Sequence, residues 1–107
     1  MFNLFKKKEK SKRELPFGTI RKRYYFEGTV QNIGFRFEIQ KRAKSLGITG
    51  FAQNNDDGTV TAELQGREKD IDKVITDLQN INRIQIDFIS EKDLPVDYYE
   101  KDFYILY

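Results

Sequence analysis

Apolar and polar residues alternate along several short stretches of this chain, and stretches with helical spacing separate them. In the first stretch, Lys22–Gln31, alternate positions form one largely apolar face: Tyr24, Phe26, Gly28 and Val30. This period of two predicts a half-buried strand. A set of apolar residues at helical spacing follows: Phe35, Ile39, Ala43 and Leu46. We therefore predict a helix from Phe35 to Leu46 that stops at Gly47.

The same two patterns continue through the rest of the chain. Strands are predicted over Ile48–Asn54 and Thr59–Gln65, and Asn55-Asp-Asp-Gly58 forms a hairpin turn between them because Gly accepts a positive φ. A second apolar set at helical spacing predicts a helix over Glu68–Asn80: Ile71, Val74, Ile75 and Leu78. The remaining predictions are a strand over Ile84–Ile89, a polar loop over Glu91–Lys101 and a short edge strand over Phe103–Tyr107.

The predicted order is βαββαβ followed by one last strand. It favours an α+β fold of the ferredoxin-like kind, a two-layer sandwich in which an antiparallel sheet carries both helices on one face. The final strand adds a short C-terminal edge to that sheet. Because this architecture hosts many functions, it does not choose among them.

Composition narrows the possible chemistry. The 107 residues suffice for one domain with a modest core, and they include no Cys and no His. Disulfides, thiolate nucleophiles, Cys-ligated metals and histidine general bases are therefore excluded. No apolar run approaches the roughly 20 residues of a membrane span, and the N-terminus lacks the apolar core of a secretory signal. We expect an intracellular, cytoplasmic protein.

The net charge of +2 hides two regions of opposite sign. Residues 1–23 carry nine Lys and Arg against two Glu, whereas residues 24–107 carry ten against fifteen Asp and Glu. Such a charged run predicts that residues 1–21 form a basic, flexible extension before a domain over residues 22–107. Two alternatives are a weak membrane-surface anchor, in which Phe2, Leu4 and Phe5 enter an anionic leaflet, and non-specific contact with nucleic acid.

The junction from Thr29 to Arg36 joins the first predicted strand to the first predicted helix. Successive backbone N–H groups converge in such a loop, and the helix N-terminus adds a partial positive charge. Arg36 adds a full charge and a fork of donors that fits phosphate. The junction is a candidate anion site, although many loops carry a Gly and an Arg.

Two long motifs give this junction a family context. Gly28-Thr-Val-Gln-Asn-Ile-Gly-Phe-Arg36 resembles the acylphosphatase signature Gly-x-Val-Gln-Gly-Val-Gly-Phe-Arg. Ala43-Lys-Ser-Leu-Gly-Ile-Thr-Gly-Phe-Ala-Gln-Asn54 resembles the stretch that follows it in that family, Ala-x-x-Leu-Gly-Leu-x-Gly-Trp-Val-x-Asn. The closing Phe103-Tyr-Ile-Leu-Tyr107 is similar to Phe-x-Ile-Arg-Tyr. The resemblance covers about residues 22–107.

The resemblance implies an enzyme that hydrolyses small acyl phosphates to carboxylate and inorganic phosphate, as a monomer and without metal or cofactor. Arg36 would clamp the phosphoryl oxygens, and Asn54 would orient the attacking water. The phosphate, or a free phosphate or sulfate ion, would lie against the N–H groups of one loop: Gln31, Asn32, Ile33, Gly34 and Phe35. The leaving carboxylate needs no strong general acid, so positioning and charge stabilisation suffice.

Three positions depart from the family pattern. Asn32 stands where Gly is usual; if this position needs a positive φ, Asn is the best substitute, at a cost of roughly 1 kcal/mol. Its side chain would also crowd the phosphate. Leu106 replaces an Arg and so removes a charge, and Phe51 replaces a Trp.

The sequence leaves alternatives to this interpretation. The chain would instead be a catalytically weak or inactive anion-binding or interaction module, with the basic extension at a membrane surface. Arg36 would then be a solvated helix residue paired with Glu27 or Glu38, and Asn54 would cap the turn. Asn54–Gly58 lacks the ligand spacing of a calcium loop. Gly34-Phe-Arg-Phe37 leads into a helix rather than a central strand, so specific RNA binding is not expected.

Overall fold

A computed structural model describes residues 11–107. The membrane-anchor hypothesis for Phe2, Leu4 and Phe5 therefore falls outside the described residues. Within them the elements follow the predicted order: β1 (Thr19–Thr29), α1 (Phe35–Ser45), β2 (Thr49–Asn54), β3 (Val60–Arg67), α2 (Glu68–Gln79), β4 (Gln85–Leu94) and β5 (Phe103–Leu106). No helix among these residues is long and apolar enough to cross a membrane.

The five strands form one sheet in the order β4-β1-β3-β2-β5. The first four pair antiparallel, as predicted, but β5 pairs parallel to β2, with Gly50 opposite Phe103 and Gln53 opposite Leu106. The predicted fold and its C-terminal edge strand are thus confirmed, and the parallel direction of β5, which the prediction left open, makes the sheet a mixed one. The reason lies in the connection: β4 ends at the end of the sheet where β2 begins, so a chain crossing there enters β5 in the direction of β2.

Both helices cover one face of the sheet and enclose the core between the two layers. Fully buried side chains of β1 meet those of the helices; Phe26 packs edge-to-face on Phe35, with ring centroids 5.1 Å apart. Because Phe35 is the first residue of α1, this contact fixes the start of the helix against the end of β1. The core thus positions the loop that was singled out in the sequence.

The first strand begins three residues earlier than predicted, and residues 19–21 belong to the sheet rather than to an extension. Thr19 pairs with Arg67, and Arg21 is only 6% exposed. Further back, the Arg13 backbone N–H donates to the Tyr98 carbonyl at 2.6 Å. The sequence pattern does not predict this part of the strand, because its Lys and Arg residues look solvent-exposed and the acidic partners of Arg21 lie far away in the sequence.

The fourth strand also runs further than predicted. It continues to Leu94, so the first part of the expected loop over Glu91–Lys101 is strand. These residues are polar because β4 is an edge strand, where charged side chains discourage pairing with other chains. Lys22 of β1 pairs with Glu91 across the two strands, at 2.8 Å.

Candidate functional site

A cavity of about 210 Å³ opens where β1 and β2 end. Its lining residues come from the loop after β1, the start of α1, the end of β2 and the last residues of the chain: Val30, Asn32, Gly34, Phe35, Arg36, Phe37, Asn54, Ile105 and Tyr107. Arg36 and Asn54 meet here because β1 and β2 both run antiparallel to β3 and so end at the same edge. Since β5 is parallel to β2, it ends there too.

The loop between β1 and α1 is tightly folded by two residues in the left-handed conformation. Gly34 has φ 78° and ψ 20°. Asn32 has φ 63°, and no other non-glycine residue among those described has a positive φ. The position where the family usually has Gly therefore does need a positive φ, and Asn adopts it at a modest cost. Turns of this kind direct successive N–H groups towards one side.

The N-terminus of α1 faces the same cavity. The first bond within the helix runs from the Glu38 N–H to the Gly34 carbonyl, at 3.0 Å. The N–H groups of the preceding turn therefore have no carbonyl partner within the helix, and Gly34 provides no side-chain cap. With the helix dipole, these groups make the end of α1 suited to an anion.

The last strand holds the side chain of Arg36. Its Nη1 donates to the Leu106 carbonyl at 3.0 Å, and its guanidinium lies 4.9 Å from the centre of the Tyr107 ring. The alternative in which Arg36 pairs with Glu38 is wrong, because Glu38 pairs with Arg42 and Arg83 instead. The replacement of Arg by Leu at position 106 does not affect this contact, since the backbone supplies the acceptor.

Asn54, at the end of β2, carries a buried oxygen with no hydrogen-bond partner among residues 11–107. Buried amide oxygens are nearly always paired, so the fold leaves this Oδ1 as an unsatisfied acceptor in a residue that borders the cavity. Asn55, not Asn54, organises the hairpin: its Nδ2 donates to Thr59 and Thr61 at 2.9 and 2.8 Å. The side-chain oxygen of Asn54 thus takes no part in the turn.

Two of the predicted loop residues do not line the cavity. Gln31 Nε2 donates to the carbonyls of Asn55 and Thr59, both at 2.8 Å, and so ties the loop to the hairpin. Ile33 packs against the core, and its carbonyl accepts a bond from Arg83 Nε at 3.1 Å. The other predicted residues, Asn32, Gly34, Phe35, Arg36 and Asn54, all border the cavity.

Sequence reasoning missed an ionic cluster behind the loop. Arg83 Nη2 lies 2.7 Å from Glu38 Oε2, and Arg42 also bonds the Glu38 carboxylate. Arg83, followed by Arg42, lowers the pKa of Glu38 from 4.5 to about 2. Nothing in the sequence connects Arg83, which precedes β4, with a residue in the first turn of α1. Among residues 11–107, no group of three His, Cys, Asp or Glu side chains is arranged to hold a metal ion.

Comparison with known proteins points to one family. The family model described as Acylphosphatase matches residues 22–105. An acylphosphatase of Clostridium perfringens is 46% identical over 85 residues, which are 78% of this chain and 96% of the relative. One of Picrophilus torridus is 44% identical over 69 residues, covering 64% and 85%. The crystal structure of acylphosphatase from Bacillus subtilis superposes with a TM-score of 0.76 at 26% identity, covering 82% of this chain and 99% of that one.

Proposed function

The chain belongs to the acylphosphatase family and is an acylphosphatase, and we propose that it cleaves acyl phosphates by in-line attack of water on phosphorus, with no metal ion. The observation that carries this proposal is one cavity that joins the guanidinium of Arg36, the N-terminus of α1 and the side-chain amide of Asn54, whose buried Oδ1 bonds no other described residue. These are the parts that binding a phosphoryl group and orienting a water require.

The phosphoryl group binds between the loop and Arg36. Backbone N–H groups at Asn32, Gly34 and the first turn of α1 donate to its oxygens, and the dipole of α1 favours its negative charge. Among residues 11–107, Arg36 donates a hydrogen bond only to the Leu106 carbonyl, and its other donors form charge-assisted bonds to the same phosphoryl group. These contacts strengthen as charge accumulates on the equatorial oxygens in the transition state.

Asn54 orients the nucleophile. The side-chain amide of Asn54, which borders the cavity, hydrogen-bonds a water molecule and holds the water oxygen towards phosphorus and opposite the acyl oxygen. As the bond from water to phosphorus forms, the bond from phosphorus to the carboxylate oxygen breaks. The water proton passes to the phosphate product or to solvent. Because the leaving group departs as a carboxylate, no histidine or other acid has to protonate it.

Hydrolysis of benzoyl phosphate in the presence of EDTA tests this function. We expect the wild-type protein to release benzoate and phosphate, and Arg36→Ala and Asn54→Ala to lose turnover while remaining folded. In ¹⁸O-labelled water the label should appear in phosphate, because attack occurs at phosphorus. Label in benzoate would contradict the proposed mechanism, and wild-type protein inactive at any concentration of benzoyl phosphate would contradict the function.

Asn32 supports a second candidate, a binding module with little or no turnover. Its side chain borders the cavity, where Gly would leave room for the phosphoryl group. This candidate predicts that wild-type protein binds inorganic phosphate without hydrolysing benzoyl phosphate, and that Asn32→Gly restores hydrolysis. Equal rates in wild type and Asn32→Gly would eliminate it.

The membrane contact of this second candidate concerns residues 1–10. A deletion that tests it should stop at residue 10, because Arg13 is hydrogen-bonded to Tyr98 and Thr19 begins β1. We expect vesicles rich in phosphatidylserine to sediment the full chain more than the shortened one. Equal sedimentation would reject the contact.

A further inference from the structure

We propose that Arg83 is a positioning residue of the phosphate-binding loop: it fixes the peptide plane between Ile33 and Gly34 so that the Gly34 N–H faces the cavity. The inference rests on the proposed function, since it assigns this N–H to the phosphoryl group. Neither the family motifs nor the predicted site included Arg83.

The geometry of the peptide bond carries the argument. Arg83 Nε donates to the Ile33 carbonyl at 3.1 Å, and Arg83 does not line the cavity. The Ile33–Gly34 peptide is trans, and in a trans peptide the carbonyl and the following N–H point in opposite directions. A carbonyl held by Arg83 behind the loop therefore directs the Gly34 N–H to the cavity side, where Gly34 is exposed.

The orientation of the Ile33–Gly34 peptide has to be fixed by a contact. Gly34 has φ 78°, and a peptide next to Gly rotates with little steric resistance. The opposite orientation would present the Ile33 carbonyl to the phosphoryl oxygens, which replaces an attraction by a repulsion. The carbonyl of Gly34 is fixed by the Glu38 N–H of α1, but that bond leaves the preceding peptide unconstrained.

Arg83 is itself held in place by Glu38. The second arm of its fork, Nη2, lies 2.7 Å from Glu38 Oε2. Glu38 is 8% exposed, and Arg42 and Lys41 also contact its carboxylate. One guanidinium thus bridges a loop carbonyl and the first turn of α1. Only a planar fork reaches both acceptors at once, so a lysine at position 83 would keep the charge and lose the bridge.

Variants of Arg83 separate positioning from charge and from general stability. We expect Arg83→Ala and Arg83→Lys each to weaken inhibition by inorganic phosphate by about tenfold or more, the value of one charge-assisted hydrogen bond. Their kcat/KM for benzoyl phosphate should fall at least as far. Free methylguanidinium should partly restore Arg83→Ala and leave Arg83→Lys unchanged.

The matched control is Arg42→Gln, which removes another partner of Glu38 without touching the loop. We expect it to lower the thermal midpoint by about as much as Arg83→Ala and to keep phosphate affinity within about twofold. Wild-type affinity in Arg83→Lys would show that Arg83 acts through charge alone. Equal losses of affinity in Arg42→Gln and Arg83→Ala would show a structural role only.

The amide of Gly34 reports the peptide plane without any turnover. In the free protein, Arg83→Ala and Arg83→Lys should shift the Gly34 ¹⁵N–¹H resonance, and Arg42→Gln should leave it near wild type. An unchanged Gly34 amide in both Arg83 variants would overturn this inference even in an active enzyme. Failure of the wild type to hydrolyse benzoyl phosphate would overturn the proposed function instead, with the amide result still standing.

Discussion

The two ends of the sheet use arginine in opposite ways. At the cavity end, Arg36 is half-buried and donates one bond within the described protein, to the Leu106 carbonyl. At the other end, Arg21 is buried and its guanidinium bonds three side chains, Glu63, Gln65 and Glu100, at 2.7 to 3.2 Å.

The difference extends to the groups around each arginine. The cavity end holds the Oδ1 of Asn54, which has no partner in the described part of the chain, and the left-handed Asn32, both of which cost stability. The opposite end pairs most of its buried polar groups across β1, β3 and the segment after β4, and Thr49 Oγ1 is the exception among residues 11–107; Gln65, for example, bonds both the N–H and the carbonyl of Asp97. A site must keep groups available for a ligand, whereas a buried network stabilises only when its members are satisfied.

The largest effect should come from removing the available arginine. We expect Arg36→Ala to lower kcat/KM for benzoyl phosphate by about 10³-fold or more, because a cation on a transferring phosphoryl group contributes on that scale. The free energy of unfolding should change by less than about 1 kcal/mol, since the lost contacts are peripheral. Lys44→Ala is the control: it removes a charge from the same helix, in an exposed pair with Asp102. A similar loss of activity in both variants would show that the loss comes from removing a charge from the helix rather than from removing the arginine at the cavity.

Breaking the hydrogen-bonded network around Arg21 should lower stability and leave activity nearly unchanged. Glu63→Gln leaves Arg21 buried with fewer charged partners, so we expect a loss of about 3 kcal/mol in unfolding free energy by urea titration. The kcat of the folded fraction should stay near wild type. Asp77→Asn offers a matched change in the exposed pair with Lys73, where about 0.3–0.5 kcal/mol is expected. Lost kcat in folded Glu63→Gln would show that the two ends are coupled.

The ionic cluster around Glu38 should make the stability of the protein depend on pH. The pKa of Glu38 is about 2 in the folded protein against an ordinary 4.5, so folding favours its charged form. Its contribution is present above pH 4.5 and is lost as pH falls towards 2. We expect Glu38→Gln to be less stable than wild type at pH 6 and to converge with it near pH 2, measured by thermal unfolding across that range. A constant difference over the whole range would contradict the low pKa.

The smallest effect concerns backbone strain at Asn32. Because its φ is 63°, we expect Asn32→Ala to be about 1 kcal/mol less stable than Asn32→Gly in denaturant titration. Asn55→Ala and Asn55→Gly, at a hairpin position whose carbonyl bonds Gln31 and whose φ is not positive, should not show this order. Equal stability of the two Asn32 variants would mean that the loop relaxes when the side chain is removed.

The elements were predictable wherever local periodicity reports burial. The first helix was expected over Phe35–Leu46 and occupies Phe35–Ser45, because its apolar stripe contacts one sheet face. The start of β1 was missed, since Arg21 is a buried residue that only distant acids make tolerable. The extension of β4 was missed because an edge strand has no need of apolar residues on both faces.

The site divides in the same way. The sequence by itself determined which residues we propose for the chemistry, Arg36, Asn54 and the loop around position 32, because short local motifs contain all of them. Only the tertiary structure decided what holds them. Gln31 donates to a carbonyl of the hairpin, Arg36 donates to the Leu106 carbonyl, and Arg83 donates to the Ile33 carbonyl. In each contact a side chain bonds a backbone carbonyl, a group that every residue has. The partners come together only because long-range pairing sets the direction of the strands, so no local sequence pattern predicts these contacts.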